Sequence, residues 1–169
     1  MKTIKPKADF LIEVLHEVAN PIGGVYTVAT TSSGEMRRYY GENFYVVGAY
    51  YPKFAKVEFD EEIPPPEIKK IFEELEKEKI TCYYGRWLIT GKPKTILVDY
   101  SKWMKKLKKI KKEVTKKYGI DCSRCGPNLN RQIVWSYCLV KLFDKLLSLS
   151  GFQNKKGIAH FHLSDPGLL

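Results

Sequence analysis

The sequence predicts an α/β protein in which helices pack against a largely parallel β-sheet. Short apolar stretches typical of buried strands alternate along the chain with segments whose apolar residues recur at helical spacing. The chain has 169 residues, of which 44% are hydrophobic, so it can bury a sizeable core as one domain. No internal repeat or linker-like segment divides it. These observations favour a single layered domain over residues 1–169.

The first half of the chain alternates strands and helices. In order, it predicts a strand over 8–18, a glycine-bearing turn over 20–24, a helix over 25–33, a strand over 44–48 and a helix opened by the prolines at 64–66. The helix over 25–33 is weak by propensity because it is rich in β-branched residues. We expect Gly34 to end it, since glycine is a common helix terminator.

The second half continues the pattern. It predicts strands over 82–89 and 95–99, a lysine-rich helix at about 102–118, a loop over 121–128, a long helix over 131–150 and a last strand over 158–162. In the lysine-rich helix, Trp103, Leu107, Ile110 and Val114 follow one another at spacings of four, three and four. This spacing places them on one helix face.

The composition excludes several classes of protein. An ordinary proportion of apolar and charged residues argues against a disordered chain or a coiled coil. No apolar run approaches the roughly 20 residues that span a bilayer. The amino end has neither a continuous apolar region nor a signal-peptide cleavage site. We therefore expect a cytoplasmic protein that does not contact a membrane.

Most of the net charge of +10 lies in one segment. Residues 102–117 contain nine lysines and one acid, Glu113, which accounts for +8. The segment is interpreted first as a surface helix with a solvated lysine face and second as a patch for a polyanion or an acidic partner. Because it lacks arginines and interleaved stacking aromatics, nucleic acid is not the favoured partner.

The four cysteines do not require a disulfide framework. Cys122 and Cys125 have the CxxC spacing of half a zinc site or of a redox pair. The two remaining cysteines, Cys82 and Cys138, lie far away in the sequence. We therefore interpret the pair as loop thiols and expect no metal site.

Two segments carry residues with chemistry at the carboxyl ends of predicted strands, where ligands bind in parallel sheets. Gly23 and Gly24 precede a helix, so the turn offers unpaired N–H groups and a positive dipole end to a phosphate, or is a plain tight turn. His160 and His162 share one side of the last strand. They fit a metal only with a carboxylate partner, and the sequence has no carboxylate-rich motif beside them. A histidine at a strand end otherwise bonds a polar substrate, packs or faces solvent.

Five stretches, read together, resemble the eukaryotic and archaeal type of glycogen synthase. Residues 17–28, EVANPIGGVYTV, are similar to its amino-terminal signature E-V-x-N-K-V-G-G-I-Y-T-V. Residues 41–51 resemble its G-E-N-Y-x-L-I-G-P-Y strand, and residues 84–93 resemble G-R-W-L-I-x-G-x-P. Residues 99–103 and 159–162 also fall in family order. The matches extend over most of the chain.

The resemblance implies the Rossmann-like amino-terminal domain of a two-domain glycosyltransferase of the GT-B type. Such enzymes transfer glucose from a nucleotide sugar to the non-reducing end of an α-1,4-glucan, with retention of configuration and without a metal or other cofactor. The donor is UDP-glucose or ADP-glucose. The carboxyl-terminal catalytic domain of the family is absent from this sequence.

The resemblance also implies roles for particular residues. The helix start behind Gly23 and Gly24 would stabilise the leaving diphosphate, with Asn20 in the same substrate-binding turn. His162 matches the histidine of the family motif F-H-E-W and would hydrogen-bond the donor glucose as a catalytic residue. Two departures stand out: Pro21 replaces a family lysine that contacts the nucleotide phosphates, and Leu-Ser-Asp-Pro-Gly follows His162 in place of E-W-Q-A-G.

One domain of such an enzyme forms only half of the catalytic cleft, so we expect a second polypeptide that carries the other domain. The lysine-rich helix would help to dock it. The first alternative is a non-catalytic relative that binds glucan or sugar nucleotide. The second, from another class, is a polyanion-binding module that uses the lysine-rich helix.

Overall fold

The computed structural model describes residues 6–162, which form one six-stranded sheet surrounded by five helices. The strands are β1 (Phe10–Val14), β2 (Phe44–Ala49), β3 (Phe59–Glu61), β4 (Thr81–Trp87), β5 (Lys94–Asp99) and β6 (Gly157–Phe161). The helices are α1 (Gly24–Tyr40), α2 (Pro52–Glu58), α3 (Pro66–Lys77), α4 (Leu107–Tyr118) and α5 (Pro127–Leu146), with 3₁₀ turns at Gly41–Asn43 and Ser101–Lys106.

The sheet is mostly parallel, as predicted. Its strand order is β3-β4-β5-β2-β1-β6, and the neighbours from β5 to β6 all run parallel. Strands β4 and β3 are antiparallel additions at one edge. The connection between β4 and β5 spans only residues 88–93, which suits a hairpin and is too short for a parallel crossover.

Helices cover both faces of the sheet, which confirms the α/β fold class. Ile12 and Val14 point into a core shared with α3, α4 and α5. Leu11 and Leu15 point to the other face, where the core includes Ala29 of α1 and residues of α2. The alternation along β1 therefore divides the apolar residues between two layers of helices.

The prediction that Gly34 ends the first helix is wrong. Helix α1 continues through Gly34 to Tyr40 and ends before Gly41, whose φ of +56° suits the end of a helix. A Cβ atom at position 34 would lie 2.9 Å from Cγ2 of Thr90, so glycine here permits close packing of the helix on the β4–β5 hairpin.

Further boundaries differ from the prediction. The strand predicted over 8–18 forms only over Phe10–Val14. The lysine-rich segment begins as a 3₁₀ turn over Ser101–Lys106, in which the buried Trp103 donates from Nε1 to the carbonyl of Glu78 at 2.9 Å. The long helix begins at Pro127 and ends at Leu146, earlier than predicted at both ends. The short elements α2 and β3 were not predicted.

Candidate active site at the switch point of the sheet

The chain topology places a crevice at the carboxyl ends of β1 and β6. From β1 the chain builds outward through β2 to β5, and α4 and α5 then return it to β6 on the opposite side of β1. Ligands of open α/β sheets bind where the strand order reverses in this way. Val14 is paired with Phe161, and the backbone N–H of His162 donates to the carbonyl of Val14 at 3.0 Å. The predicted turn follows β1 and the predicted histidine follows β6, so they come after the two strands on either side of this switch point.

Helix α1 begins beneath a carboxylate that the sequence analysis did not single out. Oε2 of Glu17 accepts hydrogen bonds from the backbone N–H groups of Gly23 at 3.1 Å and Tyr26 at 2.8 Å. The side chain thus caps α1 as an N-cap residue would, and its negative charge complements the positive end of the helix dipole. The carboxylate of Glu17 therefore already uses two of the N–H groups that were predicted to bind a phosphate.

The two glycines of the turn differ in what surrounds them. Both are exposed. A Cβ atom on Gly23 would lie 2.9 Å from Oε1 of Glu17, whereas a Cβ atom on Gly24 would meet nothing within 4 Å. The open approach to the helix start therefore passes Gly24, and the glycine at position 23 makes room for the capping carboxylate.

Asn20 lies inside the turn instead of on its surface. Its side chain is fully buried, and neither amide atom has a hydrogen-bond partner within residues 6–162. Its backbone does hold the turn: its N–H donates to the carbonyl of Glu17 at 3.1 Å, and its carbonyl accepts from Ile22 at 2.9 Å. A buried amide without partners is costly, so this position has unused hydrogen-bonding capacity.

His162 follows β6 and faces a buried carboxylate on β1. Its side chain is 9% exposed, and its Nε2 lies 3.9 Å from Oε2 of Glu13. His160 is paired with Glu13 across the two strands, and its Nδ1 lies 3.8 Å from Oε1 of that carboxylate. Burial raises the pKa of Glu13 to about 7. Burial, with His160 as a second cause, lowers the pKa of His162.

The sequence does contain a feature that marks Glu13 as a candidate site residue. Glu13 is the one acid within the apolar run FLIEVL, and a charged residue within a buried strand needs a reason to be there. The histidines beside it come from the end of β6, almost 150 residues later in the chain, so no local sequence motif predicts the cluster.

His16 belongs to a second polar group, at the ends of β1, β2 and β5. The hydroxyl of Tyr51 lies 3.2 Å from its ring nitrogens and 3.3 Å from the hydroxyl of Tyr100. The His16 ring also packs edge-on against Trp135, with centroids 4.9 Å apart. Burial, and secondly the charge of Arg131, lowers the pKa of His16 to about 4, so the ring is neutral at pH 7.

A cavity of about 320 Å³ opens beside this group, at the carboxyl ends of β2 and β5. Tyr50 lines it and stacks on Tyr83 with ring centroids 4.0 Å apart. Asp99 and Arg131 add a carboxylate and a guanidinium to the lining. Aromatic surface with a few convergent polar groups is the usual composition of a small-molecule site.

Comparison with known proteins assigns the family. A model of the glycogen synthase family matches residues 13–168, which include the end of β1, the capped turn and β6. The chain belongs to the glycogen synthase family. The residues at the crevice are therefore those of a glycogen synthase-type fold.

Curated relatives carry the same family name but are much longer. The chain is 31% identical over 154 residues to glycogen (starch) synthase of Dictyostelium discoideum, covering 90% of this chain and 17% of the relative. It is 29% identical over 157 residues to glycogen (starch) synthase of Neurospora crassa, covering 92% and 22%. It is 33% identical over 96 residues to the human liver glycogen (starch) synthase, covering 55% and 14%. The chain thus spans about a fifth of the length of these relatives or less.

In this glycogen synthase family member, α4 presents its lysines to solvent. Ile110 and Val114 are buried against the core, as the predicted apolar face requires. Lys108, Lys112 and Lys116 are exposed at spacings of four and line a shallow groove of about 430 Å³. The positive surface lies on the outside of the α4 layer.

The cysteines form no metal centre with other side chains in the described part of the chain. All four are free. Cys122 is buried and Cys125 is half-buried, and the N–H of Cys125 donates to the carbonyl of Cys122 at 3.3 Å. Among residues 6–162, the one group of three or more side chains arranged to ligate a metal is Glu13, His160 and His162. Across the same residues, no helix combines the length and apolar character needed to cross a bilayer.

Proposed function

We propose that this chain is the amino-terminal half of a retaining glycosyltransferase of the glycogen synthase type. It would transfer glucose from UDP-glucose or ADP-glucose to the non-reducing end of an α-1,4-glucan. The main support is the convergence of the Gly23–Gly24 turn and His162 at the switch point of the sheet, in a chain of this family. A second polypeptide would supply the other wall of the cleft.

The start of α1 is suited to the diphosphate leaving group. Negative charge grows on the diphosphate as the glycosidic bond to it breaks, and N–H groups at a helix start stabilise such charge. Glu17 engages the N–H groups of Gly23 and Tyr26, which leaves those of Gly24 and Val25 for a ligand. A phosphate would approach past Gly24, where the absence of a side chain leaves the backbone accessible.

His162 is the proposed hydrogen-bonding partner of the donor glucose. It lies at the carboxyl end of β6, and its backbone is fixed by the bond to Val14. The lowered pKa keeps its ring neutral at pH 7, so one ring nitrogen donates and the other accepts. A neutral ring suits recognition of sugar hydroxyl groups.

The cavity beside Tyr50 and Asp99 is the proposed place of the acceptor glucan. Its tyrosine rings offer apolar surface to a sugar face, and Asp99 and Arg131 offer an acceptor and a donor for hydroxyl groups. The cavity opens at the same edge of the sheet as the donor crevice, because both lie at carboxyl ends of parallel strands.

Strand β6 supports the proposed second polypeptide. Within residues 6–162 it pairs with β1 alone, and all five of its residues are exposed. Ile158 and Phe161 present apolar side chains there. An open strand edge with apolar groups is a docking surface for another chain. A completed cleft is also needed to orient donor and acceptor together and to exclude water.

Replacement of Gly24 by alanine tests the donor site. The added methyl group meets no protein atom, so folding should be unaffected, but it would crowd a bound diphosphate. In the complete assembly we expect Gly24→Ala to weaken donor binding at least about tenfold, which corresponds to about 1.4 kcal/mol. Gly126→Ala, at the start of α5, is the matched control because its Cβ also meets nothing. Equal donor affinity in both variants would contradict the proposed site.

Two observations favour the alternative of a non-catalytic glucan- or sugar-nucleotide-binding relative. Glu17 places a negative charge at the helix start, and Pro21 stands where the resemblance implies a phosphate-binding lysine. Both features disfavour a bound diphosphate. If this alternative is correct, Pro21→Lys in the complete assembly will yield no glucose transfer, whereas a working synthase will show transfer that the lysine increases.

A further inference from the structure

Glu13 and His160 form with His162 a cluster in which the proposed transfer reaction gives a role to His162 alone. Glu13 is the fourth of the five residues of β1, and the two histidines lie at the end of β6 and directly after it. One ligand atom from each of the three side chains lies within 4.8 Å of the others. The parallel register that pairs Glu13 with His160 fixes this arrangement, so it follows from the sheet itself.

The distances within the cluster suit a shared ion better than direct hydrogen bonds. The carboxylate oxygens lie 3.8 Å from Nδ1 of His160 and 3.9 Å from Nε2 of His162, which is beyond hydrogen-bond range. Two atoms bound to one tetrahedral zinc ion, each at about 2.1 Å, are about 3.4 Å apart. A small inward movement of His160, which is 54% exposed, would close the remaining gap.

Two buried groups in the cluster also need a partner. The Glu13 side chain is 4% exposed and that of His162 is 9% exposed. Nε2 of His162 is buried and has no hydrogen-bond partner within the described residues. Buried polar atoms normally have a partner, so the space between this nitrogen and the buried carboxylate is suited to a bound ion.

We propose that Glu13, His160 and His162 bind a divalent transition metal ion, with Zn²⁺ as the preferred occupant. One carboxylate and two imidazoles are a frequent protein ligand set for zinc, and water would complete the tetrahedron. The ion would join β1 to β6 and neutralise the buried carboxylate. This inference does not rest on the proposed transfer reaction.

The ion would also orient His162 without taking part in glucose transfer. When Nε2 of a neutral imidazole binds a metal, the hydrogen resides on Nδ1. His162 would then present a fixed donor toward the crevice. This role is compatible with a transfer reaction that itself needs no metal.

Titration of the tag-free chain with Co²⁺ alone tests the proposal, because bound cobalt reports its ligands in the visible spectrum. We expect one equivalent to bind with ligand-field bands and without the charge-transfer band of a thiolate ligand. Glu13→Gln and His160→Ala should each weaken binding at least about tenfold. Ile158→Ala, on the same exposed strand, is the control and should bind as the wild type does.

Circular dichroism of each variant checks that it is folded, and His160→Ala is the safer variant because this residue is 54% exposed. The proposal is overturned if the folded wild-type chain binds no cobalt. It is also overturned if both variants retain wild-type affinity, or if a thiolate band shows that the cysteines hold the ion.

Discussion

Glu17 illustrates how one side chain sets the chemistry of a helix start. The N-cap position of α1 is Gly23, which has no side chain to accept from the first N–H groups. Glu17 supplies the missing acceptor from six residues earlier, and the turn around Asn20 brings it back to the helix. An anionic ligand would use the neighbouring N–H groups of Gly24 and Val25, so its negative charge and that of Glu17 would repel each other at the same helix start.

We therefore predict that Glu17→Ala destabilises the protein by about 1 kcal/mol, the usual cost of a lost helix cap. Two hydrogen bonds to the start of α1 are removed at once. Urea unfolding measures the change. Glu73→Ala is the control, since Glu73 is exposed on α3. A loss for Glu17→Ala no larger than that of the control would show that the carboxylate does not cap the helix.

His16 makes stability depend on pH in a defined direction. Its pKa is about 4 in the folded chain and about 6.5 in the unfolded chain. Between these values the unfolded chain binds a proton that the folded chain does not, so stability falls as the pH falls from 6.5 toward 4.

We predict that protonation of His16 lowers the free energy of unfolding by about 2 kcal/mol between pH 7 and pH 5. This loss is measured as the difference in unfolding free energy between the wild type and His16→Gln at the two pH values, which cancels the other titrating groups. The wild type should lose more stability than the variant on acidification. Parallel losses would mean that His16 titrates normally in the folded protein.

At the scale of elements, α4 carries more positive charge than its stability favours. Lys108, Lys112 and Lys116 are neighbours at i, i+4 spacing on its exposed face. Like charges at this spacing destabilise a helix by a few tenths of a kcal/mol per pair. An acidic surface on the proposed partner chain would relieve this repulsion.

Lys112→Glu is accordingly predicted to stabilise the protein by roughly 0.5–1 kcal/mol at low salt, because two repulsive pairs become attractive. Thermal unfolding measures the gain, which should shrink at about 1 M salt. Lys69→Glu on α3 is the contrasting variant, since it would put an acid four residues before Glu73 and should destabilise. Destabilisation by Lys112→Glu would show that its present contacts outweigh the repulsion.

The elements that the sequence predicts correctly depend on nearby residues, whereas those that it misses depend on contacts between residues far apart in the chain. The parallel strands and α3 follow from apolar periodicity and proline placement, which are local signals. Helix α1 continues through Gly34, which packs closely on Thr90, and this contact between residues far apart in the sequence gives no local signal. The site divides in the same way: the Gly23–Gly24 turn and His162 are readable as motifs, whereas the Glu13 cluster needs the pairing of β1 with β6.

At the scale of the whole molecule, the sheet places the candidate site residues at one edge and, within the described residues, leaves another edge open. The carboxyl ends of β1, β2, β5 and β6 present the turn, the cavity and His162 on one side of the molecule. Within residues 6–162, the outer edge of β6 is unpaired and the lysine face of α4 is exposed. In the proposed function, the side with the turn, the cavity and His162 is one wall of a catalytic cleft, and these two surfaces dock the chain that carries the other wall.

The most direct test is native mass spectrometry of the assembly purified gently from the protein's own cells, followed by a glucose-transfer assay on the same sample. The account predicts a stoichiometric second polypeptide with a Rossmann-like domain, and transfer of glucose from a nucleotide sugar to glycogen. Recovery of the chain alone, with no transfer from either UDP-glucose or ADP-glucose, would contradict it.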